Sequence, residues 1–201
     1  LDHPARRNCL SYATLLELKK ILQDLGKDPS IFVIVLAAEG PSFCSGHDLE
    51  ELRRHAADED NGRAFFNQTL SLCSEVMQAL SACPQPVIAA VQGIATAAGC
   101  QLVASCDLAV AEETAQFATP GIHIGLFCST PMVALSRNIS RKRALEMLLL
   151  GERITAQEAA DMGLINRVVP HGHAREGALQ IAEKIAAKSS AVTRLGKAAF
   201  Y

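Results

Sequence analysis

Apolar residues fall into two patterns along this chain. Short unbroken runs at residues 31–38, 87–91 and 108–111 read as strands, the run at 87–91 as a buried one, and residues 164–169 read as a further strand. Between them, apolar residues recur at the spacing of one helix face. Leu15, Leu16, Leu18, Ile21, Leu22 and Leu25 predict a helix over about residues 12–25, with Ser11 as its N-cap. Phe65, Phe66, Leu70, Leu72, Cys73, Val76, Met77 and Leu80 predict a second over about 63–82. Further helices are expected over about 49–56, 129–138, 140–150 and 172–189. Thr155 and Glu158 form a capping-box pattern for another, ending near Gly163. Residues 57–62 are polar and acidic and read as a surface loop, 116–121 as a strand end and turn, and 122–126 as a loop. Strands alternate with helices, so the class is α/β. Spacing alone suggests one doubly wound sheet.

Two places repeat one design. After the run at 87–91, Gln92-Gly93 breaks the strand, and small residues from Ile94 to Gly99 lead into an apolar helical segment ending at Ser105. After the run at 31–38, the stretch from Pro41 to Gly46 leads to His47 and Asp48, with Asp48 where an N-cap falls and Glu50 and Glu51 suiting a first turn. A strand that turns on glycine into a helix leaves backbone N–H groups unpaired at the helix start, within reach of a ligand oxygen. Small residues at such a turn also simply let a helix pack on a sheet. Two such turns side by side could aim two N–H groups at one carbonyl oxygen.

The segments SFCSGHDLEEL, PVIAAVQGIATAAGCQLVASCDLAVA, AQFATPGIHIGL and GERITAQEAADMGLINRVV occur in this order over roughly residues 7–170. They resemble the enoyl-CoA hydratase/isomerase (crotonase) family. The resemblance implies a single domain over 1–201, folded as a spiral of repeated ββα units with two sheets and C-terminal helices, and short at both ends. It implies a coenzyme A thioester as ligand, acyl-CoA or enoyl-CoA, in fatty-acid metabolism, with no separate cofactor. The family's two oxyanion donors fall on the backbone N–H groups of His47 and Ala98. Substrate contacts fall on Ser45, Gly46, His47, Asp48 and Leu49, on Ala97, Ala98 and Gly99, and on Pro120 and Ile124. Arg6 and Arg7 stand where they could meet the phosphates, or serve only as solvated basic residues. Assembly as a homotrimer or hexamer follows by analogy.

The chain departs from the family at its acids. The two hydratase glutamates fall on Gln101 and Gly121, and the carboxylate that isomerases place further on falls on Ser129. General acid–base transfer contributes about 10²–10⁴-fold per group, so ordinary hydration is doubtful. Gln101 can still orient a water but cannot take a proton. Replacing both Gln101 and Gly121 with Glu discriminates an enzyme from a binding protein: fast hydration would mean a sound scaffold that lacks only its acids. His47 and His123 are the candidate replacement bases; each also has a plain structural reading. Asp48 and Ser129 read as helix caps, and Cys44, Cys100 and Cys128 as small core residues, with Cys128 placed to line a pocket. Three readings stay open: an enzyme working on a thioester enolate, a non-catalytic acyl-CoA-binding protein of the same fold, and, distantly, a serine hydrolase using Ser129 and His123.

Composition narrows the field further. The chain has 201 residues, 49% hydrophobic and 20% charged, with net charge −2. That balance offers no argument for nucleic acid or a membrane surface, and no apolar run is long enough to span a bilayer. With no Trp and two Tyr there is no platform for stacking bases. The seven Cys are an odd number with no CxxC pair, so neither a disulfide framework nor a metal site is expected. A reducing compartment fits: the cytoplasm, or the mitochondrial matrix after removal of a presequence.

Overall fold

The computed structural model describes residues 1–201. The chain runs α1 (Tyr12–Lys27), β1 (Ile34–Leu36), α2 (Leu49–His55), α3 (Arg63–Ala82), β2 (Val87–Val91), β3 (Ile94–Thr96) and α4 (Ala98–Ser105). It continues through β4 (Leu108–Glu112), β5 (Gln116–Ala118), α5 (Ser129–Asn138), α6 (Arg141–Leu150), β6 (Ile154–Thr155) and α7 (Ala156–Asp161). β7 (Arg167–Val169), α8 (Ala174–Ala186) and α9 (Ser190–Phe200) complete it, and 3₁₀ turns lie at Pro4–Arg6 and Pro120–Ile124.

There are two sheets, not one. β1, β2, β4 and β7 form a fully parallel sheet in the order β1-β2-β4-β7. A smaller sheet has the order β3-β5-β6, with β6 antiparallel to β5. The chain places β2 in the first sheet, β3 in the second, then adds α4; it repeats the step with β4, β5 and α5. This is the ββα spiral, and it replaces the doubly wound sheet that strand spacing suggested. Spacing could not separate the two because β3 is only three residues long and follows β2 after a two-residue break.

The apolar run of β2 is unbroken because both faces of its sheet are covered. Val87, Ala89 and Val91 join the main core, while Ile88 and Ala90 join Ala178 and Ile181 of α8 on the other face. All five are buried. Several elements are shorter than the pattern predicts: β1 keeps only three residues of the run at 31–38, and the strand expected at 164–169 is Arg167–Val169. The capping box at Thr155 and Glu158 is formed on both sides. No helix is long and apolar enough to cross a membrane.

Candidate functional site

The segment from Cys44 to Asp48 runs between two partners. On one side Cys44 donates its N–H to Ile94 O (3.1 Å) and accepts from Thr96 N–H (3.0 Å), and the Thr96 hydroxyl donates to Ser45 O (3.1 Å). On the other side Leu10 donates to Gly46 O (2.8 Å) and accepts from Asp48 N–H (3.3 Å). In such a bridge the intervening residue turns its own N–H the opposite way. The His47 N–H therefore faces the β3–α4 side, past the point where β3 has ended, and it donates to no protein acceptor.

Across this seam lies the start of α4. Ala98 is its first residue, so its N–H has no intrahelical acceptor, and none elsewhere in the protein. The two segments touch closely. Gly46 has φ +88°, and a Cβ there would lie 3.0 Å from Ala97 Cβ and 3.3 Å from Ala98 N. Ala97 holds φ 51°, ψ −121°, outside the usual regions for an L-residue. Such strain costs about 1–3 kcal/mol and persists only where surroundings impose it; here Ala97 N–H is fixed on Ala118 O at 2.9 Å. Two unpaired N–H groups, brought together by a strained turn, form a site suited to an anionic or carbonyl oxygen.

The acids' positions differ sharply from each other. Gln101 sits one turn into α4, buried, and its Oε1 is enclosed without a hydrogen-bond donor. Gly121 has no room for a side chain: a Cβ would lie 2.7 Å from Leu126 O and 2.8 Å from Cys128 Sγ. The Gly121 N–H donates to that sulfur at 3.3 Å. The segment after Pro120 thus fills the space where a side chain at 121 would begin. Position 101 can take a glutamate in place of its glutamine, whereas position 121 cannot take one without displacing Leu126 and Cys128, so the two replacements are best made separately.

The other candidates are placed as follows. Asp48 caps α2, accepting from the N–H groups of Glu50 and Glu51, both at 3.1 Å. Arg6 is held by Asp48 (2.7 and 2.9 Å) and Glu50 (3.0 Å), so two carboxylates compete with any phosphate for it. Arg7 makes no ion pair; its carbonyl accepts from Ser45 N–H at 3.1 Å. Leu49 and Ile124 are exposed, and Pro120 opens the 3₁₀ turn over what sequence read as loop. His123 Nε2 lies 2.8 Å from where a Cβ on Gly151 would stand, so the ring rests on the end of α6. Ser129 is exposed and is the first residue of α5, with Cys128 at the N-cap position. No hydrogen bond joins Ser129 to His123, which leaves the hydrolase arrangement without its pair. Burial pushes the thiols of Cys44 and Cys100 up to about 12, making them poor nucleophiles. No three His, Cys, Asp or Glu side chains gather as a metal cluster.

The His47 ring is enclosed at both nitrogens, and neither finds a hydrogen-bond partner. Burial pushes its pKa below the ordinary 6.5, partly offset by the Leu10 main chain and Glu51. The ring is therefore neutral at pH 7, yet no second group orients it as a catalytic base usually is. Because the unfolded chain binds this proton more readily, His47 contributes stability that is complete above about pH 6.5 and lost as pH falls below it. Urea unfolding between pH 7 and 5 should thus fall less steeply for His47→Gln than for the parent. Identical slopes would contradict this.

Comparison with known proteins gives a consistent answer. The family model described as enoyl-CoA hydratase/isomerase matches residues 1–201. The chain is 51% identical over 201 residues to the rat protein "Enoyl-CoA hydratase domain-containing protein 3, mitochondrial", covering 100% of this chain and 65% of the rat one. The crystal structure of human enoyl coenzyme A hydratase domain-containing protein 3 superposes with a TM-score of 0.92 at 51% identity, over 99% of this chain and 77% of that one. An enoyl-CoA hydratase structure from Mycobacterium smegmatis gives a TM-score of 0.94 at 49% identity, over 99% and 76%. This chain therefore spans just under two thirds of the length of the rat relative.

Proposed function

Because the chain belongs to the enoyl-CoA hydratase/isomerase family, we propose that it holds an acyl-CoA or enoyl-CoA thioester with the carbonyl oxygen between the N–H groups of His47 and Ala98. The observation that carries this reading is the pair of unpaired N–H groups at the Gly46–Ala97 seam. Each such donor contributes about 3–4 kcal/mol to a developing oxyanion. Charge moved onto the thioester oxygen acidifies the α-carbon of a saturated acyl chain, or the γ-carbon of a crotonyl chain; the proton passes to a solvent water or hydroxide that Gln101 orients, and the enolate or dienolate stays on the two N–H donors. The residues that hydratases of this kind use as acids are Gln101 and Gly121 here, and the reading is therefore of isomerase- or lyase-type chemistry with atypical proton transfer. Coenzyme A enters as part of the substrate, and no further cofactor is needed.

A second reading, a non-catalytic acyl-CoA-binding protein of this fold, is favoured by one specific observation: the space at Gly121 is filled by Leu126 and Cys128. The rat relative's name, which says mitochondrial, supports a mitochondrial location over the cytoplasm, and assembly as a homotrimer or hexamer is carried over as part of the proposal.

Gly46→Val tests the thioester seat common to both readings. A branched side chain at φ +88°, pressed on Ala97 and Thr96 O, moves the His47 N–H away from Ala98. Butyryl-CoA affinity, measured by calorimetry, should fall about tenfold or more, as loss of one charge-stabilising donor predicts. Gly46→Ala should give a smaller loss. Undiminished affinity in a Gly46→Val protein with native circular dichroism would contradict the assignment.

A further inference from the structure

Every residue of α4 except Gln101 and Ser105 is apolar or small. Gln101 is only 6% exposed, and its side chain makes no hydrogen bond within the protein. Its Oε1 is enclosed; the Nε2 end is not, and it presents two N–H donors that find no protein acceptor. Buried polar groups in folded proteins are nearly always matched, because one left without a partner costs its desolvation. The unmatched amide therefore points to a ligand that brings an acceptor.

The helix sets where that acceptor stands. Residues three apart share one helix face, and Gln101 follows Ala98 by three. Its Cα lies about 4.5 Å further along the axis. Helical side chains lean toward the N-terminus, so the amide head returns toward the level at which the Ala98 N–H would meet a thioester oxygen. The atoms next to that oxygen in an acyl thioester are the α- and β-carbons, which places the acceptor as an oxygen on the β-carbon. No carboxylate opposes it from the other acid positions: 121 is a glycine backed by Leu126 and Cys128, and 129 is a serine.

The same substrate chemistry answers the missing bases. A proton beside a single thioester carbonyl is held tightly, and a positioned base is the usual means of taking it. A proton flanked by two carbonyls is released to water far more readily. The electron pair left behind spreads over both oxygens, one on the His47 and Ala98 N–H groups and the other on the Gln101 amide. A glutamate at 101, when ionised, would face that second oxygen with acceptors only; glutamine faces it with a donor. With a plain acyl chain, the amide meets only a water.

We propose that Gln101 selects a 3-oxoacyl thioester, donating from Nε2 to the 3-oxo oxygen in the bound substrate and in its enolate. This rests on the thioester seat proposed above and names a substrate class for it. In the enolisation the α-C–H bond breaks, its proton passes to a solvent water, and its electron pair enters the dicarbonyl system; nothing is oxidised or reduced.

The probes are acetoacetyl-CoA, 3-hydroxybutyryl-CoA and butyryl-CoA, which share a four-carbon chain, each titrated by calorimetry. The parent should bind acetoacetyl-CoA about tenfold or more tightly than butyryl-CoA, the gain from one hydrogen bond to a charged oxygen. The bound enolate should also appear as a new near-ultraviolet absorption band. Gln101→Met, of similar length and without the amide, should bring the affinity ratio near one and remove the band, with circular dichroism to check its fold. The comparison on the parent needs no variant. Butyryl-CoA bound as tightly as acetoacetyl-CoA, 3-hydroxybutyryl-CoA bound more tightly than acetoacetyl-CoA, or a band undiminished in folded Gln101→Met would each overturn selection by Gln101 and leave the seat standing. Binding of none of the three thioesters would overturn the seat, and this inference with it.

Discussion

Alanine at Gly99 is expected to destabilise the protein by about 3 kcal/mol or more, one methyl group notwithstanding. The added Cβ would fall 2.2 Å from Cys44 O and 2.8 Å from Cys44 C, both backbone atoms. Backbone cannot swing aside as a flexible side chain does. Cys44 is also the residue whose N–H and C=O bond to Ile94 and Thr96, so the displacement breaks the contact between the two glycine turns. Stability and thioester binding should therefore fall together. Gly196→Ala is the control: nothing lies within 4 Å of its Cβ direction, and it sits inside α9. It should stabilise by about 0.5–1 kcal/mol through reduced backbone entropy in the unfolded chain. Chemical unfolding midpoints of the two variants check this. A Gly99→Ala protein as stable as the parent would show that α4 does not press on Cys44.

Gln101→Glu is expected to raise hydration of crotonyl-CoA by about 10²–10⁴-fold, the usual contribution of one general acid–base group. The position is buried in the first half of α4, a short way along from Ala98. The Gln101 Oε1 receives no donor, so a carboxylate there would be poorly solvated and its pKa raised above the ordinary 4.3 or so. The rate should accordingly change with pH above the usual glutamate range. Adding Gly121→Glu should lower stability, because its side chain starts in the space of Leu126 and Cys128, and should add little rate. If Gln101→Glu binds crotonyl-CoA and hydrates it no faster than the parent, the position does not face the reacting carbons.

How far the sequence revealed this molecule depended on the range of the interactions involved. β2 was legible because five consecutive apolar residues are what a strand covered on both faces requires. The capping box of α7 and the Asp48 cap of α2 were legible because each is a local hydrogen bond between near neighbours. β3 was not: Ile94, Ala95 and Thr96 carry no alternation, and their strand character comes from pairing with β5 and the bridge to Cys44. The start of α9 at Ser190 was likewise missed, since the ion pair of Lys197 with Asp107 that ties the helix to the fold joins residues far apart in sequence. At the seam, the glycine at 46 announced a special backbone, but the positive φ at Ala97 had no such sign, being imposed by Ala118 and the neighbouring turn. The missing acids were readable as residue types. That Gly121 is filled from behind by Leu126 and Cys128 was not, because it depends on how residues 122–128 fold back. The ion pairs of Arg6 with Asp48 and Glu50 join residues far apart in sequence, so its placement among phosphate contacts could not be weighed against them.

The most direct test of the thioester seat is an incubation of the protein with crotonyl-CoA in deuterated water, read by mass spectrometry. Deuterium incorporated at carbon in the recovered thioester, without a water adduct, is the result predicted for a seat at His47 and Ala98 that forms an enolate but lacks the two acids. Thioester recovered without deuterium, under conditions where binding is shown by calorimetry, would contradict the enolate chemistry and leave the acyl-CoA-binding reading in its place.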